Sequence, residues 1–276
     1  MTSSGCVSLR VLSLLVATLG AGCAADLSND DAQPNGDEGV TLATTSQALI
    51  AEPPYEIRTE TPAHIMMAPV STHTCYLTGV YGSMNYGPVR IVTHAGSPSW
   101  WFEVIPPSYG RKIGGTAVCV KTVANRTAQV HSSGPDTLLG AATPKRQCFL
   151  TGVNADSYVA SYGASNDQIR TFVRDGNWYL GGSGETGATA SCIDVGGFEG
   201  AWEYGSSAPL TQNLMEDLPG LQCFMSAIGG RYVTNSFTAF SAVRKNSLTG
   251  WWQIRTSGDN GDPLGGGKRV GTRCVK

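Results

Sequence analysis

The residues with the most chemistry in this chain are eight cysteines: Cys6, Cys23, Cys75, Cys119, Cys148, Cys192, Cys223 and Cys274. Thiols can hold zinc, shuttle electrons or form structural bridges. No C-x-x-C occurs, which removes the spacing that zinc knuckles and thioredoxin-type sites use. The last six cysteines fall into a rhythm. Cys75 and Cys119 stand 44 residues apart, Cys148 and Cys192 again 44, and Cys223 and Cys274 51. Bridging Cys75–Cys119, Cys148–Cys192 and Cys223–Cys274 encloses one complete hydrophobic unit per loop, and is the preferred reading. A second symmetric pairing, Cys119–Cys148, Cys192–Cys223 and Cys75–Cys274, remains open and would tie the two ends together. Either one implies an exported chain in an oxidising compartment.

The other reactive side chains do not assemble into a catalytic pattern. His64, His73, His94 and His131 have no metal-ligand spacing, and neither H-E-x-x-H nor G-x-S-x-G is present. Glu103, Asp167, Asp175 and Glu185 do not recur as a pair. A secreted hydrolase would have to assemble its carboxylates in three dimensions. SGDNGDPLGGG, 257–267, carries Asp259, Asn260 and Asp262 among glycines. It lacks the following acid of a calcium loop and reads as a polar turn. The expectation is therefore a chain with no enzymatic activity, cofactor or metal.

Aromatic side chains recur more regularly. Trp100, Trp101, Trp178, Trp251 and Trp252 fall in one kind of segment, WWFEV, WYL or WWQI. Neighbours on a strand face opposite ways. Trp100, Trp178 and Trp252, with Phe102, Val104, Leu180 and Ile254, make an inward set. Trp101, Tyr179 and Trp251 then look outward, where an aromatic face with a polar tip suits a sugar ring or a protein partner. Arg90 and Arg170 lie on the preceding segments and could bond an anionic polymer. The rival reading is that every aromatic is core and the arginines belong to a solvated face.

The elements that must position these groups are written three times. CYLTGV at 75–80, CFLTGV at 148–153 and CFMSAI at 223–228 each begin with cysteine. Each is followed by a strand-like segment, a turn, a Trp strand, a glycine-rich loop and a closing cysteine strand. Cys75 and Cys148 are 73 residues apart, and Cys148 and Cys223 are 75. A fixed period of this length marks tandem units. The segments alternate with period two, and DGN at 175–177 is a hairpin signal. Thirty-five glycines, many in pairs, argue against long helices. The fold expected is all-β: three repeats of about 75 residues and four or five strands each, with one disulfide per repeat. A closed pseudo-threefold body of β-prism, trefoil-like or short-propeller type is favoured over three beads. The hexapeptide is expected to be the leading edge strand of each unit, with Phe149, Thr151 and Val153 on one face.

The domain reading is 1–25, 26–52, 53–125, 126–199 and 200–276. Residues 1–25 have the form of a secretory signal: Arg10, then the apolar VLSLLVATL, then small residues. TLGAGC resembles a lipobox that would make Cys23 the lipidated residue, with Gly20 standing where Leu is usual. Ordinary cleavage after Ala25 is the alternative. Residues 26–52 carry six acids and no Lys or Arg, the composition of a disordered tether. Beyond it, 18 bases face 15 acids, too mild a balance to point to nucleic acid.

The unit, with CFLTGV, WYL and a closing A-x-C, resembles cysteine-framed repeats of exported and surface lipoproteins of Gram-negative bacteria. The resemblance covers nearly all of 53–276 and implies location and fold, with no activity attached. The function expected is a non-enzymatic binding or adhesion module for carbohydrate or extracellular polymer, outside the cell or on the outer membrane. Its only membrane contact would be a lipid anchor. A structural or protein-interaction element of the envelope is the alternative.

Overall fold

The hexapeptide proves to be the centre of each sheet, not its edge. The computed structural model describes residues 49–84, 87–154, 167–184, 186–206, 208–257 and 267–276. The signal segment, Cys23, most of the tether, Glu185 and most of the SGDNGDPLGGG turn lie outside the described residues. Eighteen strands and no helix occur among the described residues.

Each unit holds six strands, more than the repeat pattern suggests. The first has β1 (Tyr55–Thr59), β2 (Ala63–Pro69), β3 (Thr74–Gly82), β4 (Val89–Thr93), β5 (Ser99–Val104) and β6 (Ile113–Val120). The second has β7 (Val130–Ser132), β8 (Thr137–Ala141), β9 (Arg146–Val153), β10 (Gln168–Arg174), β11 (Asn177–Ser183) and β12 (Ala188–Asp194). The third has β13 (Phe198–Ser206), β14 (Leu210–Glu216), β15 (Gln222–Gly229), β16 (Phe240–Asn246), β17 (Trp251–Thr256) and β18 (Lys268–Val275). The extra strands come from the segments ahead of each hexapeptide. These look like linkers because their outer faces are polar; His64 and His131 both lie in such strands.

The three sheets are built by exchange between units. Sheet I runs β1-β6-β3-β16-β17-β14, sheet II β2-β5-β4-β9-β12-β7, and sheet III β13-β18-β15-β10-β11-β8. In every sheet, strands one, six and three of one unit meet strands four, five and two of another. The junctions β4–β9, β10–β15 and β16–β3 run from unit one to two, two to three and three back to one. Residues 53–276 belong to one compact unit, not three beads.

Bridges Cys75–Cys119, Cys148–Cys192 and Cys223–Cys274 each join directly opposed residues of neighbouring strands, with Cα atoms 4.0 Å apart. The local pairing is thus the real one. It needs no long-range closure, because β3 and β6, and their counterparts, already hold the cysteines in register.

The repeated LTGV has its own structural cause. Thr78, Thr151 and Ser226 are extra residues in the ladder: Leu77 pairs Ala117 and Gly79 pairs Thr116, and the same step skips Thr151 and Ser226. A β-bulge resets the side-chain alternation. Val153 therefore does not share a face with Phe149, as strict alternation would have it. It joins Cys148 and Leu150 in the main core, as Val80 and Ile228 do in their units. The Thr78 and Thr151 hydroxyls donate to Thr116 and Thr189 across the strand at 3.0 Å, which satisfies the distorted ladder.

The aromatic at the second hexapeptide position makes the hub. Tyr76, Phe149 and Phe224 are fully buried, and their ring centroids lie 4.9, 5.2 and 5.0 Å apart in a triangle. Val118, Val120, Ile193, Val195, Val275 and Leu49 pack around them. Burial pushes the Tyr76 phenol well above its ordinary value. Leu49 belongs to the segment expected as tether. Its neighbours Ala51 and Glu52 also join the fold, bridging to Val120 and bonding the Cys119 carbonyl.

Candidate functional site

One face of every sheet packs into the main core; the opposite face carries the candidate residues. The inward set behaves as its alternation demands. Trp100, Trp178 and Trp252 are buried, and their indole N–H groups donate to the His73 carbonyl, the Arg146 carbonyl and Asp217.

The outward candidates sit on three different sheets, so no single site contains them all. On sheet II, Arg90 and Trp101 are half-buried. Arg90 Nε and His94 Nε2 hold the two oxygens of Glu103 at 2.9 and 2.8 Å. The rings of His64 and His94 each stand edge-on to Trp101, with centroids at 5.3 Å. On sheet III, Tyr179 stacks on Phe172 at 5.8 Å. The guanidinium of Arg174 lies 4.6 Å over Tyr179 and is bonded to Asp136, whose hydrogen bond raises the arginine's proton affinity. Arg170 is exposed, 3.7 Å from Glu203. On sheet I, Trp251 is half-buried at the start of β17, opposite Glu216 and Asn246.

The three outward aromatics are also not equivalent. Register pairs Trp101 with Val92, Tyr179 with Phe172, and Gln253 with Arg244. Gln253, not Trp251, therefore occupies the third copy of the position. It is buried and bonds Asn213 at 2.8 Å. The WW dipeptides of units one and three align by eye, yet the buried indole is the first of one and the second of the other. Three like aromatic platforms are not present.

What reading by motif missed is a groove on the outer face of sheet I, where unit one meets unit three. Its larger part has a volume of about 470 Å³ and is floored by Thr78, Thr116, Val118 and Ala242. Its walls carry Glu56 and Arg58 from β1, Arg244 and Lys245 from β16, and Asp217 from the loop before β15. A second hollow of about 260 Å³ adjoins it, sharing Arg58, Tyr81, Ala242 and Arg244. Glu56 bonds Arg58 and Asp217 bonds Lys245, while Glu52, which also lines the groove, lies 3.4 Å from His73 Nε2.

Register explains why the groove opens here. Arg90 opposes Gly152 at the junction of sheet II, and Arg170 opposes Ala227 in sheet III; in sheet I the same place holds Ala242 opposite Gly79. Two small residues leave a trough where the other sheets carry an arginine. A Cβ on Gly79 would come within 3.1 Å of the Ala242 Cβ, which shows how closely β3 and β16 meet. In sheet III the corresponding hollow is only about 160 Å³ and includes Arg170, Phe172 and Arg273. There burial pushes Arg273 down to about 10, with its guanidinium 4.6 Å over Trp178. Among the described residues no group of three His, Cys, Asp or Glu is placed to hold a metal. The chain matches no protein-family model and no curated protein.

Proposed function

We propose that the protein is a non-enzymatic binding module displayed outside the cytoplasm, taking an extracellular polymer, carbohydrate foremost, in the groove of sheet I. The observation that carries this reading is the trough at the Gly79–Ala242 junction. It is open and walled by hydrogen-bonding side chains, of whose carboxylates Glu56 and Asp217 are held by Arg58 and Lys245. Such walls suit recognition through many hydroxyls better than proton transfer, which needs an unpaired acid and base. Three disulfides favour an oxidising, extracellular or periplasmic setting. Lipidation at Cys23 would hold the module at the outer membrane. The body itself reads as β-prism type. A propeller keeps each sheet within one repeat around a central channel, whereas these sheets are shared and three rings fill the hub.

Trp252 lines the groove, so its emission reports occupancy. The full chain is titrated with a panel of soluble polysaccharides, and the fluorescence change is followed. A saturable response abolished in Ala242→Arg, and retained in Trp101→Ala, supports the reading. No saturable response to any polymer sinks it.

A further inference from the structure

We infer that the polymer is anionic, and that one end of the groove is built to hold a carboxylate or sulfate on a sugar chain. This rests on the binding-module reading. The smaller hollow brings Arg58, Arg244 and Arg255 together with the rings of Tyr81, Phe237 and Phe240. No acidic side chain is among its lining residues. Arg58 lies 4.4 Å over Tyr81, and Arg255 lies 5.9 Å over Phe240. The rings keep the guanidinium planes in place and leave their edges for an oxyanion. Arg58 shares its charge with Glu56. Arg244 and Arg255 have no carboxylate partner among the described residues, and the buried Arg255 Nε has no hydrogen-bond acceptor.

Comparison between sheets shows that this charge is particular to sheet I. In sheet II the register pair is Arg90 and Glu103, which neutralise each other. In sheet III it is Arg170 and Gly181, with Arg174 answered by Asp136. In sheet I the same pair is Ala242 and Arg255. The internal cation is gone, and a second cation stands where the acid would be. The hollow of sheet III also holds an arginine without an ion pair among the described residues, Arg273, but it lies over Trp178 and shares that hollow with Glu203. The three arginines of this hollow share it with no acid and match an anion from outside. Arginine forks pair carboxylate and sulfate oxygens two at a time, and the adjoining trough accommodates the rest of an extended chain.

The test uses the full chain and polymers that differ in charge alone: polygalacturonate against its methyl ester, and dextran sulfate against dextran. The expected result is binding of one or both anionic members at least about tenfold tighter than their neutral partners, weakening as salt is raised. The variant Arg255→Glu places an acid at the register position that Glu103 holds in sheet II and leaves Ala242 and the trough unchanged. It is expected to remove the preference for charge with little change in melting temperature. Lys121→Gln, a charge change elsewhere, is expected to leave the preference intact. Equal binding of charged and neutral members overturns the inference while leaving the binding module standing. Tighter binding of a single-stranded oligonucleotide than of either anionic sugar chain also overturns it. Binding to none of these or any other polysaccharide removes the binding module itself.

Discussion

Phe149→Ala at the hub tests the architecture most directly. Phe149 is fully buried, with ring centroids 4.9 Å from Tyr76 and 5.0 Å from Phe224. Truncating a core phenylalanine costs about 3–5 kcal/mol through lost transfer energy and the cavity left behind. Each aromatic pair adds about 0.5–1.5 kcal/mol beyond area. These terms overlap, so the expected loss is about 4 kcal/mol, in the upper part of the range. Phe149→Leu, which keeps most of the volume, should lose only about 1 kcal/mol. The assay is urea unfolding followed by far-ultraviolet dichroism and by tryptophan fluorescence. Because the hub rings come from all three units, both signals should shift together with an unchanged slope. A loss under about 2 kcal/mol would refute the hub. So would a two-step curve in which one unit melts and the others persist, the behaviour of independent beads.

Replacing Cys148 and Cys192 together by alanine opens a loop of 44 residues, worth about 4 kcal/mol in the chain-entropy account; urea unfolding should show most of that loss. Gly176→Ala should cost about 1 kcal/mol, because Asp175 and Gly176 both have positive φ, 50° and 72°, and no atom lies near the added Cβ. Thermal unfolding reads it, and no loss would mean the turn relaxes. Arg273 carries a pKa lowered by burial to about 10 from 12.5. Between those values the unfolded chain binds more protons than the folded one, so stability rises with pH in that window. Below about 10 the desolvation cost is fully present. Wild type should therefore gain on Arg273→Met as pH is raised from about 9 to about 11, the span that brackets the lowered value, in paired melting curves; a constant difference would sink this assignment.

The repeat, its all-β character and the cysteine frame are legible in the chain because each rests on local patterning. Period-two alternation, the Asp-Gly turn and equal cysteine spacings survive whatever the units do to each other. The inward tryptophans follow from the same rule, since alternation needs only the backbone. Where the pattern misleads, the cause is a residue whose effect lies outside its own strand. Thr151 looks like one more alternating residue, and only its pairing against Thr189 and Ala190 shows it as the bulge that turns Val153 inward. The segments before each hexapeptide look like linkers because one face is polar, and they become strands only when β6, β12 and β18, or their fifth-strand neighbours, supply hydrogen bonds.

The chain by itself therefore determined the strands from each hexapeptide to its closing cysteine, which cysteines could be joined, and which ring of a tryptophan pair turns inward. The tertiary structure alone decided that the hexapeptide lies at the sheet centre, that hairpins pass from unit to unit, and that the groove lies between units one and three. Strand exchange is invisible to local pattern because an edge offers the same N–H and C=O groups to any partner. Choice of partner comes from the packing of Tyr76, Phe149 and Phe224 at the hub. The site follows from that choice: Ala242 and Arg255 are unremarkable in sequence, and acquire meaning only in register with Gly79 and beside Arg58.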